Sequence, residues 1–299
     1  MLLQLFQRRA YFHEMQYDRF AKALDHTGGA HRIEQQRAAA GAELDDAHVL
    51  GRAHLPPHRR HPQSDQLAEH LADLGRGDEI PGGPTIVVAN EFIDALPVHQ
   101  AIRQADGWHE RVVEIGADGK LCFGVAHDTL PHFETSLPRA LRGSPAGSIF
   151  EWRDDRVALD LGRRVRGEGA VLILDYGHVN YGLGDTLQAV AGHAYVDPLQ
   201  SPGEADLTAH VDFEALAQSA ESIGGRIHGP ILQRDFLLRL GIKQRAATLK
   251  ANASRDMALE IELALSRLTA SGAQGMGELF KALAIADPKL GALPGFEAP

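Results

Sequence analysis

Cysteine is nearly absent from this chain: Cys122 is the single one in 299 residues. That excludes an internal disulfide and any cysteine-rich metal motif, and it fits a reducing compartment. Long apolar runs are missing as well, and none approaches the roughly 20 residues of a membrane-spanning helix. Net positive charge is also lacking. A formal charge of -10 argues against a general nucleic-acid binder, which needs a basic face to release counterions. The first ten residues are too short and polar for a secretory signal. Arg8 and Arg9 give them the look of an organellar presequence start, but Glu14 and Asp18 follow too soon for that pattern. What remains is an ordinary globular composition, 44% hydrophobic and 23% charged, long enough to bury a full α/β core.

The chain is organised around Thr85-Ile86-Val87-Val88-Ala89-Asn90-Glu91-Phe92-Ile93-Asp94-Ala95-Leu96-Pro97. Between Ile86 and Ala89 there is no polar alternation, which predicts a strand buried on both faces in a parallel sheet. Its carboxyl end, where open α/β sheets place ligands, carries Asn90, Glu91 and Asp94. Upstream, residues 1–24 suit one amphipathic helix. Residues 25–70 change character, with eight of the sixteen histidines falling within the first 70 positions. No pair of them stands at i, i+4 on a credible helix, so this stretch reads as a low-information linker rather than a metal site. Downstream, 99–104, 110–115 and 121–126 read as strands of a β-meander, turned at Ala105-Asp-Gly107 and Ala117-Asp-Gly119. A helix over 149–166 leads to a second buried strand, 169–174, which ends in Asp175-Tyr176-Gly177. Thr208 or Asp212 can cap a helix over 213–223, a strand follows over 226–232, and helices are predicted over 235–240 and 243–270. Residues 276–284 suit a final helix or strand end.

Several residues have both a chemical and a structural reading. Glu91 and Asp94 can grip a cation, or they can form a capping pair, with Asp94 capping a helix start before Ala95-Leu96-Pro97. Asp175 ends a buried strand. Tyr176 can stack on a substrate or pack half-buried. His210 suits proton transfer, since its ordinary pKa is near 6.5, or it can bond the adjoining helix start. Asp206 and Asp212 share that ambiguity. His193, His210 and Asp212 lack the clustered spacing of a metal site.

The segments Asn90-Glu91-Phe-Ile-Asp94-Ala-Leu-Pro97, Asp175-Tyr-Gly177, Gly184-Asp185-Thr186, Asp206-Leu-Thr-Ala-His210-Val-Asp212, Phe236-Leu-Leu-Arg-Leu-Gly241 and Met276-Gly-Glu-Leu-Phe-Lys281 come in this order. Together, over about residues 81–296, they closely resemble the MidA-type family of S-adenosylmethionine-dependent methyltransferases. That family includes the mitochondrial arginine methyltransferase that assists respiratory complex I assembly.

The resemblance implies an α/β methyltransferase-type Rossmann fold, with a mostly parallel sheet, helices on both faces, and β-meander and helical insertions. It implies S-adenosyl-L-methionine as cofactor and a protein substrate, such as a respiratory-complex subunit, with no nucleic acid and no membrane span. It implies the cytoplasm for a bacterial chain and the mitochondrial matrix for a eukaryotic one. On this map Glu91, Asp94 and His210 are the catalytic candidates. Asn90 and Asp175 lie on the cofactor side, and Tyr176, Asp206 and Asp212 on the substrate side. Acids make chemical sense there. A guanidinium stays protonated at physiological pH, and a carboxylate that grips it bidentately directs one nitrogen at the sulfonium methyl.

One departure stands out. The family carries an acidic-Gly-x-Gly-x-Gly loop upstream that holds the cofactor's amino-acid end, and a second-strand acid that grips the ribose. Neither is visible before Pro81. Asp73-Leu-Gly75-Arg-Gly77 has similar wording but leaves no room for the helix and two strands that should separate it from the site strand. Residues 1–80 therefore read as an atypical segment with the cofactor half missing or replaced, as translation of a GC-rich gene in a shifted frame would produce. Two function classes stay open: a protein-arginine methyltransferase, inactive if the loop is truly absent, and a non-catalytic assembly or partner-binding protein that keeps the substrate-side insertions.

Overall fold

The computed structural model describes residues 84–272 and 275–297. The helix expected over 1–24, the histidine-rich stretch and the Asp73 motif lie outside the described residues.

In chain order the strands are β1 (Ile86–Asn90), β2 (His99–Arg103), β3 (Trp108–Ile115), β4 (Leu121–Thr129), β5 (Ile149–Trp152), β6 (Ala170–His178), β7 (Gln188–Ala191), β8 (Ala194–Val196), β9 (Asp206–Thr208), β10 (Val211–Asp212), β11 (Arg226–Leu232) and β12 (Phe280–Ala286). The α-helices are α1 (Phe133–Ser136), α2 (Arg156–Arg164), α3 (Phe213–Ser222), α4 (Gln233–Arg239), α5 (Ile242–Ala251), α6 (Arg255–Thr269) and α7 (Met276–Leu279).

The main sheet has the order β1-β6-β12-β11, with β10 joining the end of β6. β1 and β6 pair in parallel from Ile86↔Ala170 to Asn90↔Leu174, joined by a crossover that contains α2. β12 runs antiparallel to both β6 and β11, so the sheet is mixed.

One face of this sheet carries the main core. Val171, Ile173, Leu283 and Ile285 pack there with Phe213 and Leu216 of α3. Phe213 is fully buried, which stabilises the fold by ~1.5–3 kcal/mol.

On the other face Ile86 and Val88 are 60% and 50% exposed among the described residues.

The meander is a separate four-stranded antiparallel sheet, β4-β3-β2-β5, packed around Ala101, Trp108, Leu137 and Phe150. β5 corrects the predicted 149–166 helix: Ile149–Trp152 pairs with β2, and the helix starts only at Arg156. The helix predicted over 243–270 is likewise two. α5 stops at Asn252, and Ser254 starts α6 by accepting a hydrogen bond from the Met257 amide at 3.3 Å. A small third sheet, β8-β7-β9, includes a two-residue hairpin at Gly192-His193, both with positive φ. His193 is therefore a turn residue.

Gly177 is the tightest point between β6 and β10. A Cβ there would lie 2.0 Å from the Val211 carbonyl oxygen and 2.6 Å from its nitrogen. Gly177→Ala is expected to push β10 away and cost ~1–3 kcal/mol, read as a lowered midpoint in thermal unfolding.

Candidate functional site

The site begins where β1 stops. After Asn90 the chain turns through Glu91, whose φ of 48° puts a non-glycine residue in the left-handed region. Its amide still donates to the Leu174 carbonyl at 2.9 Å, continuing the β1–β6 ladder. The next three amides point at one atom. Phe92, Ile93 and Asp94 donate to Oδ2 of Asp175 at 3.2, 2.9 and 3.1 Å. Asp175 Oδ1 accepts from the Tyr176 amide at 2.9 Å. Successive backbone N–H groups converging this way form a nest of donors, and here the chain's own Asp175 side chain fills it.

Asp175 is 0% and Asp94 1% exposed, so both acids lie beneath the surface. Burial, followed by the facing Asp94 carboxyl, pushes the Asp175 carboxyl up to about 8. Glu91 is half-buried and Asn90 exposed, and these two form the accessible part of the tip.

The second wall is the segment between β9 and β10. The Ala209 amide donates to the Asp94 carbonyl at 3.1 Å, so the two segments touch directly. The His210 amide donates to Thr186 Oγ1 at 2.9 Å. The His210 ring meets the Tyr176 ring edge-on, with centroids 5.6 Å apart. Burial, then the nearby His178, pulls the His210 pKa below its ordinary value, which favours the neutral imidazole at pH 7. Tyr176 is buried and packs on Phe280 as well.

Asp212 is occupied elsewhere. It caps α3, accepting from the Ala215 amide at 3.0 Å, which resolves the Thr208-or-Asp212 alternative for the cap. Asp206 lies on β9 opposite Val190. The structure thus gathers Glu91, Asp94, Asp175, Tyr176 and His210, while Asp212 serves a helix end. Among the described residues no group of three His, Cys, Asp or Glu side chains could hold a metal ion.

Residues 35–231 match the model of a family described as "Putative S-adenosyl-L-methionine-dependent methyltransferase". The chain belongs to this family, the MidA type. Among curated proteins it is similar to the mitochondrial protein arginine methyltransferase NDUFAF7 of Danio rerio, 36% identical over 214 residues. That match covers 68% of this chain and 48% of the relative. The Caenorhabditis elegans homolog is 37% identical over 171 residues, 56% of this chain and 40% of that protein. The chain thus spans less than half the length of these relatives. A structure from Burkholderia thailandensis bound to S-adenosyl-homocysteine superposes with a TM-score of 0.66 at 29% identity, covering 92% of this chain and 76% of that one. The family match begins at residue 35, so it takes in much of the histidine-rich stretch, which lies outside the resemblance over residues 81–296.

For this methyltransferase-family chain the described residues fit the reactive end of the cofactor. A sulfonium cation suits the acid-rich end of β1, where Glu91 and Asn90 are accessible above two buried carboxyls. The stretch upstream of Pro81, where the resemblance places the glycine loop and ribose acid, lies outside the described residues.

The sequence reading missed a polar bridge that carries the meander to the site. Gln100 Nε2 donates to Glu151 at 2.6 Å and to Asp185 at 2.9 Å, and Arg111 donates to Asp185 at 2.7 Å. Glu151 in turn accepts from the Thr186 amide at 3.1 Å and from its hydroxyl. It missed Arg153 too, which looked like the interior of a helix. The nearest signal was the acidic pair Asp154-Asp155 beside it, itself a helix-start pattern.

Proposed function

We propose that this chain methylates an arginine of a protein substrate with S-adenosyl-L-methionine as donor. The observation that carries the reading is the strained turn at Glu91, held by three amides on Asp175, whose Asp94 carbonyl meets the segment that carries a half-buried, neutral-leaning His210. Bound there, S-adenosyl-L-methionine supplies an electrophilic methyl group. Glu91 grips the substrate guanidinium and fixes its orientation. His210 receives the proton that the guanidinium nitrogen gives up, which a neutral imidazole can do and an imidazolium cannot. Asn90 lies on the cofactor side and Tyr176 backs the His210 ring. Asp94 and Asp175, too deep to reach a substrate, hold the turn. The resemblance supports a respiratory-complex subunit as substrate. The site of action would then be the mitochondrial matrix in a eukaryote or the cytoplasm in a bacterium.

A second reading, a non-catalytic assembly protein, draws on the β3–β4 hairpin, where Val113, Ile115, Leu121 and Val125 are exposed. Isothermal titration with S-adenosyl-homocysteine separates the two. Micromolar binding supports the methyltransferase, and no heat from the folded chain overturns it in favour of the second reading. Where turnover is measurable, kcat/KM should fall on the acid side of a pKa below 6.5, as His210 takes up a proton. His210→Gln should abolish that limb.

A further inference from the structure

Arg153 follows the last residue of β5 and leaves the meander for the main domain. Its guanidinium is buried and donates to three backbone carbonyls: Nη1 to His210 at 2.7 Å, and Nη2 to Ala209 at 2.8 Å and to Asp94 at 3.1 Å. Those carbonyls belong to the two walls of the site. The Asp94 carbonyl already accepts from the Ala209 amide, so Arg153 adds a second tie across the same seam.

A buried guanidinium is costly unless its charge and hydrogens are met, so its place here calls for a reason. Asp175 first, then Asp94 and Glu151, hold its charge against the burial that pulls its pKa down. A planar fork can also bridge carbonyls of two segments at fixed spacing, which the point charge of a lysine cannot.

We propose that Arg153 is a positioning residue: it clamps the Asp94 turn to the Ala209–His210 segment and so sets Glu91 against the His210 imidazole for methyl transfer. The catalytic consequence rests on the proposed methyl-transfer function, while the clamp itself does not.

The test uses the full chain and its Arg153→Met and Arg153→Lys variants, with hydrogen exchange read on peptides covering 91–96 and 206–212. Loss of the charged hydrogen bonds should speed exchange in both peptides by roughly tenfold or more in the Met variant. The rise should be smaller in the Lys variant, and peptides from β6 and β12 should stay as in the wild type. If the Met variant does not fold, the Lys variant decides alone. Wild-type exchange in the two site peptides, or an equal rise in β6 and β12, overturns the proposal. In parallel, labelled S-adenosyl-L-methionine and host-extract proteins report turnover, where the variants should lose kcat with KM nearly unchanged. A wild-type chain that transfers no methyl group sinks the methyl-transfer reading and leaves the exchange result to judge Arg153.

Discussion

Asp175→Ala is expected to be the most destabilising single change at the site, by ~3–5 kcal/mol. The substitution removes the acceptor of four backbone amides, those of Phe92, Ile93, Asp94 and Tyr176. An amide left unpaired in the interior costs ~1–3 kcal/mol, and relaxation of the turn recovers part of the sum. Asp175→Asn should cost less, ~1–3 kcal/mol, because one oxygen remains to accept while the new NH₂ opposes an N–H. The same carboxyl gives a pH signature. Its native pKa of about 8 stands above the ordinary 3.8, so the native chain holds a proton that the unfolded chain releases. The resulting stability is fully present below 3.8 and is lost as pH rises to about 8. Over that window the change amounts to roughly a few kcal/mol. Denaturant titrations across it should show wild-type stability falling with pH and a much flatter profile for Asp175→Asn. A wild-type profile as flat as the variant's would show that Asp175 keeps its usual titration.

Much of this arrangement was legible because it is local. β1 and β6 announce themselves as short apolar runs, and the β3–β4 turn at Asp118-Gly119 carries its own turn chemistry. The cap on α3 is written in Asp212. Non-local pairing was harder to see. Ile149-Phe-Glu-Trp152 is rich in strand formers but only four residues long and runs on toward α2, so its strand shows only once β2 stands beside it, and the Asp185–Gln100–Arg111 bridge joins three stretches that share no pattern. The break between α5 and α6 was visible in Asn252-Ala-Ser254, a stop followed by a cap, and the long apolar stripe hid it. Asp94 shows the limit at the site itself. Its residue type and place at a strand tip suggested a carboxylate facing substrate, but burial depends on the Ala209 segment and on Arg153, both distant in the chain. Glu91, three residues earlier in the same motif, is left as the accessible acid.

Glu91→Gln should therefore carry the largest effect on activity, a loss in kcat of ~10²–10³-fold, with S-adenosyl-homocysteine affinity within about twofold of wild type. Glutamine keeps the shape and the hydrogen-bonding length but removes the charge that grips the guanidinium. It also keeps the left-handed backbone at the same cost, since any side chain at φ 48° is strained. That cost supplies a second, opposed measurement. Glu91→Gly relieves the strain and should raise stability by ~0.5–1 kcal/mol while removing methyl transfer altogether. A turn whose only task was to end β1 would favour the glycine, losing nothing and gaining stability. Strain retained under an accessible carboxylate, and held there by three amides on Asp175, marks the conformation as one kept for the position of that side chain. Unchanged turnover in Glu91→Gln, or a Glu91→Gly variant that is both more stable and fully active, would move the substrate grip to another acid.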